Sequence, residues 1–359
     1  MSSTNEEVTS AAAQQLGSVS LGESLERKVE PENNEDADKN EAYKLLCSAC
    51  GKESNALKMC SGCKCVWYCD VECRDRHRKE HKKECKLIKK ELDKRGGKRD
   101  LGDEMDLGPL PDLPPQEECP ICMRVMPLHP GLQLHSECCG KHLCAGCDFQ
   151  HWMKSRDETG QTPVPRTCVF CRTVKPRSDK EILARLRKRV QRKDIEALRR
   201  IALKHGFGQL GLSVDPAKCI DLLRQSAGLG SPLAQTQLAS FHWNGEMGLE
   251  QSEREALKYY EKAAEGGHVL ARHNLGCKKD ESGDHDVAMR YWRLSASVGY
   301  SNSMELLIEC FENGLLHHSD LAKTLRVFYR ARAEMKSVDR DEYIEYLKRT
   351  GEYHEDYDS

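Results

Sequence analysis

Sixteen of the nineteen cysteines in this 359-residue chain fall between positions 47 and 171, and ten of these form five C-x-x-C pairs. No other feature constrains the fold as much. Segments this short bury too little apolar surface to be stable alone, and paired thiols at this spacing converge on tetrahedral metal sites. The first thirty residues lack the basic start and apolar core of a secretory leader. A reducing cytoplasmic or nuclear compartment is therefore expected, where thiols stay free and clustered pairs favour metal over disulfides. Cys219, Cys277 and Cys310 lie outside the cluster and read as small core hydrophobes.

The first group is Cys47-x-x-Cys50, Cys60-x-x-Cys63, Cys69-x-x-x-Cys73 and His81-x-x-x-Cys85. A C-x-x-C turn presents two thiolates to one ion, and spacings of four place two ligands on one helical face. Eight ligands in alternating pairs imply two zinc ions. With WYCDVECRDRHRKEHKKEC, the group resembles the MYND zinc finger. That resemblance implies interleaving: Cys47, Cys50, Cys69 and Cys73 around one zinc, Cys60, Cys63, His81 and Cys85 around the other. Cys65 is left over as a competing ligand, and His77 reads as a solvated helix residue. MYND fingers are chiefly protein-interaction modules, and nothing here resembles the SET methyltransferase domain that accompanies some of them.

The second group is Cys119-x-x-Cys122, Cys138-Cys139, Cys144-x-x-Cys147 and Cys168-x-x-Cys171, which resembles a RING-type cross-brace. The resemblance implies one zinc on Cys119, Cys122, Cys144 and Cys147, and a second on Cys138, Cys139, Cys168 and Cys171. Cys139 stands where the common RING pattern has a histidine. Adjacent ligands are sterically awkward, so His142 and His135 remain alternatives for one of them. RING domains often recruit a ubiquitin-conjugating enzyme, and Ile121, Trp152 and Arg172 match positions used for that. Two departures weigh against it: Val169 replaces a usual proline, and the loop 148–167 is long.

The C-terminal third repeats. Ala234, Ala271 and Ser303 correspond, as do Leu238, Leu275 and Leu307, and an earlier copy places Ala197 and Ile201 in register. Amphipathic helices such as SEREALKYYEKAAE and DHDVAMRYWRLSAS lie between, each begun by a Ser or Asp suited to N-capping. Small residues at the repeated position let paired helices approach, and stacked pairs build a solenoid. This segment resembles the Sel-one-like repeats, relatives of the tetratricopeptide repeats, with a degenerate final pair.

The fold expected is multidomain: two small zinc-stabilised modules plus an all-α helical-repeat solenoid, with a disordered N-terminal arm. The boundaries expected are 1–42 for the acidic arm, 43–92 for the MYND-type finger with a basic helix, and 93–117 for a Gly/Pro-rich linker. The RING-like finger follows at 118–174, a basic connecting helix at 175–193, the repeats at 194–337 and an acidic tail at 338–359. A mean hydropathy of −0.71 sits with the long polar stretches, and no apolar run is long enough to span a membrane. The basic stretches Arg74–Arg99 and Lys175–Lys193 lack aromatic stacking platforms, so nucleic acid is disfavoured.

These features predict a protein-interaction adaptor holding about four structural zinc ions and no catalytic side chain of its own. A RING-type ubiquitin ligase is the alternative, and a nucleic-acid-binding regulator is a second one resting on charge. The linker spells P-x-L-x-P at Pro111–Pro115, resembling the extended peptide that some MYND fingers bind. Leu113 is the residue expected to fill an apolar pocket beside Trp67 in such a self-contact.

Overall fold

The computed structural model describes residues 46–54, 56–99, 107, 116–156 and 166–354. The N-terminal arm at 1–42, the P-x-L-x-P segment with Leu113, and the last five residues lie outside them.

The first cysteine module opens with a two-stranded hairpin, β1 (Lys58–Met59) against β2 (Trp67–Tyr68). Helix α1 (Val71–Lys94) follows, started by the Asp70 carboxylate, which accepts the Cys73 amide at 2.6 Å. Acidic caps satisfy an orphan donor and suit the positive end of the helix dipole. Cys73, His77, His81, Ile88 and Leu92 form the buried stripe of α1, and Gly96 and Gly97 end the helix at positive φ. His77 is 5% exposed, contrary to the solvated position expected of it. It stands four residues from both Cys73 and His81, and that helical spacing puts it on the inward face despite its charged neighbours.

The second module contains the hairpin β3 (Gln133–His135) and β4 (His142–Cys144), then α2 (Ala145–Met153). Helix α3 (Asp179–Val190) begins at Ser178, whose hydroxyl accepts the Glu181 amide. Its Leu183 and Leu186 share a small core with Ala197 and Ile201.

The solenoid runs through α4 (Ile195–Gly206), α5 (Pro216–Gly228), α6 (Pro232–Asn244) and α7 (Glu253–Glu265). It continues with α8 (Val269–Glu281), α9 (His285–Ala296), α10 (Ser301–Glu312) and α11 (His318–Met335). The repeated small positions Ala197, Ala234, Ala271 and Ser303 are all 0% exposed, which is the close helix approach the repeat demands. Leu238, Leu275 and Leu307 are also fully buried, each contributing about 1.5–3 kcal/mol by burial. At Gly276 a Cβ would meet the Trp292 ring at 2.5 Å, so α8 and α9 touch across a missing side chain. Ser252 caps α7 through its side chain, whereas Asp284 begins α9 without a side-chain cap.

Two packing relations were not expected. The finger and the end of the solenoid share one core: Cys63, Val66, Tyr68 and Ile88 cluster with Trp292, Leu307, Phe311, Leu325 and Tyr329. Leu107 from the linker joins that core, its amide donating to the buried Asp320 carboxylate at 2.7 Å. The acidic segment from Asp339, expected as a tail, instead begins with a helix, α12 (Val338–Thr350). Tyr343, Tyr346 and Leu347 recur at helical spacing, and α12 packs on α2 of the RING-like module. Gly146 permits this approach, since a Cβ there would lie 2.8 Å from backbone of Asp339 and Arg340. Among the described residues no helix is long and apolar enough to cross a membrane.

Candidate metal centres

The C-x-x-C pairs at 47, 60, 119 and 168 fold into one local shape. In each, the amide four residues after the first cysteine donates back to its carbonyl: Gly51 to Cys47, Lys64 to Cys60, Met123 to Cys119 and Arg172 to Cys168. Each of those four residues has φ between 54° and 71°. The left-handed turn swings the chain around two sulfurs that point the same way. Bridges such as Leu46 to Glu53, Glu118 to Val125 and Thr167 to Val174 close three of the loops, and β1 with β2 closes the fourth.

The Cys138-Cys139 turn is a variant of this shape. Gly140, at φ 80°, donates to Ser136, which therefore occupies the place of a first cysteine. Cys138 supplies the thiol from two residues further on. The remaining pairs stand at helix starts: Cys69 and Cys73 flank Asp70, and Cys144 and Cys147 open α2. Helix N-termini favour thiolates, but the Asp70 side chain at Cys69, and burial at Cys73, Cys144 and Cys147, outweigh this and push these four thiols up. His81 and Cys85 sit one turn apart on α1.

Four groups of four donor atoms result, each with its atoms within 4.8 Å of one another. They are Cys47, Cys50, Cys69 and Cys73; Cys60, Cys63, His81 and Cys85; Cys119, Cys122, Cys144 and Cys147; and Cys138, Cys139, Cys168 and Cys171. A tetrahedron with zinc–sulfur bonds of about 2.3 Å has edges of about 3.8 Å. The sulfur pairs Cys50–Cys69 at 3.8 Å, Cys60–Cys85 at 3.7 Å, Cys119–Cys147 and Cys122–Cys144 at 3.9 Å, and Cys139–Cys168 at 3.8 Å fit that edge. All nineteen cysteines are free thiols. The donor sets therefore suit zinc, which when bound would cross-link segments far apart in sequence.

The fold also prepares at least one thiolate in each group, and in the fourth Cys171 is lowered as well as Cys168. Burial raises the thiols of Cys47, Cys119 and Cys168, but backbone amides donating to their sulfurs outweigh it, bringing them to about 7, about 7 and about 6. Cys60 is also held well below the usual thiol range, chiefly by its Cys63 and Cys85 neighbours. These four are the first cysteines of the four turns.

The histidine is aimed from outside the finger. Nε2 of His81 lies 3.2 Å from Cys63 Sγ, while Nδ1 lies 3.2 Å from the hydroxyl of Tyr329 on α11. Tyr329 in turn donates to Glu84 at 3.2 Å, so its oxygen is free to accept from Nδ1–H, leaving the Nε2 lone pair for metal. Tyr329 lies 248 residues from His81, and no local pattern marks it. His77 stacks parallel to His81 with its Nδ1 3.0 Å from the Tyr68 hydroxyl, and burial chiefly lowers it to about 4. Cys65 stands outside both groups of the finger, with Sγ 3.2 Å from Nε2 of His318.

His135 and His142 face each other across β3 and β4, outside the cysteine groups, and approach Glu196. Guanidinium groups already meet that trio: Arg189 donates to His135, and Arg199 forks onto Glu196 at 2.6 and 2.9 Å. Burial, then Arg189 and Arg200, push His135 down to about 3. This is a poor setting for a cation.

The three residues matched to partner binding have different surroundings. Ile121 is 49% exposed on the first turn of the RING-like module. Trp152 packs on Phe149 and on Tyr346 of α12, both with ring centroids at 5.9 Å. Arg172 is exposed, its guanidinium 3.5 Å from Nε2 of His151. Arg340 of α12 donates to the Val125 carbonyl at 2.6 Å and reaches Cys122 Sγ at 3.5 Å.

Comparison with known proteins agrees with two of these parts. Residues 47–85 match the MYND finger model, and residues 195–231 and 232–268 each match the Sel1 repeat model. The chain thus carries a MYND finger and Sel1 repeats, and its further cysteine clusters fit a RING-like zinc module. A SET and MYND domain-containing protein of Dictyostelium discoideum is 38% identical over 52 residues, 13% of this chain and 10% of that protein. The chain therefore matches only about a tenth of that relative's length. A Sel1 repeat protein from Oxalobacter formigenes is similar in structure at 26% identity and TM-score 0.33, covering 35% of this chain and 97% of the other. An Escherichia coli protective antigen with an SLR fold is similar at 19% identity and TM-score 0.39, covering 52% and 40%.

Proposed function

We propose that this protein is a zinc-dependent protein-interaction adaptor, with four structural zinc ions on the sixteen residues grouped above. The observation that carries this reading is closure: each group supplies four protein donors, which fill a tetrahedral site and leave no position for a water nucleophile. Function then resides in surfaces, and MYND fingers and Sel1 repeats are both interaction modules. The domain boundaries we propose are those expected from sequence, with α12 counted in the folded part.

The test is selection of a displayed peptide library on the zinc-loaded full chain, repeated with Cys69→Ser. Enriched peptides that are lost with the finger support the adaptor. Failure of the zinc-loaded chain to enrich any peptide refutes it. The exposed Ile121 and the position of Arg172 favour a second reading, a RING-type ubiquitin ligase. Ubiquitin transfer with a panel of conjugating enzymes, lost in Ile121→Ala and in Arg172→Ala at unchanged zinc content, is the outcome that reading requires.

A further inference from the structure

A cavity of about 470 Å³ lies between the RING-like module, α3 and α12. Its walls include Phe149, Trp152, Tyr343 and Tyr346, and its cations are Arg166, Lys175 and Arg185. Asp148 lies buried beneath, engaged by Arg166 and by Lys175 at 2.6 Å, and Glu352 stands exposed on the lining. Glu137, also on the lining, is held by Arg200 at 3.2 Å. Three cations therefore face two carboxylates not otherwise paired, so positive charge is in excess.

Among the described residues, two lining groups end in buried nitrogens without a hydrogen-bond partner: Arg185 Nη1 and His135 Nδ1. Both are donors. Arg185 already gives Nη2 to the Val174 carbonyl at 2.7 Å, and a guanidinium has no acceptor. His135 Nε2 takes the Arg189 proton donor, so the ring hydrogen sits on Nδ1. Buried donors are nearly always satisfied, and an exception calls for an explanation. The surplus cations on one cavity suit an oxyanion, with the two unpaired nitrogens lying buried in the residues of its wall, and the aromatic side chains suit an apolar group beside it.

We propose that this cavity binds the oxyanion of an acidic or phosphorylated side chain on a partner peptide, with the neighbouring apolar residue against Tyr343 and Tyr346. The proposal rests on the adaptor reading and supplies the chemistry of one partner.

The experiment uses the zinc-loaded full chain and three labelled nine-residue peptides, alike except for phosphoserine, glutamate or serine beside a leucine. Fluorescence anisotropy should show the phosphoserine or glutamate peptide binding at least about tenfold tighter than the serine peptide, as a charge-assisted hydrogen bond gives. The stronger of the two identifies the oxyanion, and inorganic phosphate should compete. Arg185→Gln should remove about tenfold of the affinity, Arg185→Lys less, and Arg254→Gln on the exposed face of α7 none. Tyr346→Ala gives an independent variant should Arg185→Gln misfold, with zinc content as the check on folding. Equal binding of the three peptides, no binding of any, or full affinity in both Arg185→Gln and Tyr346→Ala overturns the inference. The adaptor reading falls only if the peptide-library selection also fails.

Discussion

Tyr329→Phe isolates a single hydroxyl at the junction of finger and solenoid. Tyr329 is 4% exposed and His81 3%, so water cannot replace the hydroxyl at Nδ1. The phenyl ring remains against His77 at 4.2 Å and Phe328 at 5.2 Å, so packing is largely kept. Glu84 is only half-buried and can turn to solvent. What is lost is one buried partner for an N–H, which costs about 1–3 kcal/mol. Loss of an outer-sphere partner typically weakens a metal site about 10- to 100-fold, or about 1.4–2.7 kcal/mol, and the two routes agree. Competition between the zinc-loaded chain and a chromophoric chelator measures this directly. One zinc equivalent should move to the chelator at about 10- to 100-fold lower chelator concentration, the others unchanged, with helicity intact. A shift below about twofold at that site would refute the proposed aiming of His81 by α11.

Four further outcomes are expected. Chelation should unfold more than the cysteine modules: hydrogen exchange should accelerate in α10 and α11, which share the finger's core, while α4 to α7 stay protected. Cys69→Ser should lose one zinc equivalent by elemental analysis and Cys65→Ser none, and a loss with Cys65→Ser would overturn the ligand choice. Gly146→Val should detach α12, because its side chain enters space held by Asp339 and Arg340 backbone; a cost of about 1–3 kcal/mol is expected, read as new proteolytic cutting after residue 336 at constant zinc content. His268 caps α8 through Nδ1, and burial, then Arg199 and Arg272, lower it from 6.5 to about 4. A base depressed on folding stabilises above its unfolded pKa and loses that contribution as pH falls from about 6.5 to about 4. The upper bound is on the order of 3 kcal/mol, so His268→Asn, which still caps, should flatten urea-measured stability between pH 7 and 5.

Much of the candidate site was legible because zinc ligands come in local pairs. Spacing alone announces a C-x-x-C turn or a one-turn helical pair, and the fourteen positions so marked fall in the four groups together with the adjacent Cys138 and Cys139. The repeat was legible for a similar reason, since close helix approach requires small residues at a fixed period. His77 was misread although its signal was present: its spacing to Cys73 and His81 outweighs the charged residues beside it. The partners that orient the groups left no such trace. Tyr329, His318 and Arg340 act on cysteines and histidines more than 200 residues away. Single-sequence periodicity carries no term for such a distance. Helix α12 was hidden differently, because its acidic surface dominates the composition and only Tyr343, Tyr346 and Leu347 mark its inward face.

The weakness of the last repeat has a structural reason in this arrangement. A solenoid leaves an apolar face at each end, which a following repeat or a cap must cover. At the start α3 does this, placing Leu183 and Leu186 over Ala197 and Ile201. At the other end, among the described residues, no further pair stacks on α10 and α11; α1 and the finger's turns take that place, and the contacts run from Ile88 to the Arg95 guanidinium 4.1 Å over Phe311. A repeat that meets a zinc finger is released from the pattern needed to meet another repeat. His318 reaches the Cys63 carbonyl at 2.8 Å and Tyr329 reaches His81, roles a repeat consensus would not supply. The finger gains from the same surface the apolar burial that its two short strands and one helix cannot provide alone. Through this shared core, zinc bound in the finger would be coupled to the integrity of the solenoid's end, and a partner bound at either should feel the zinc content of the other.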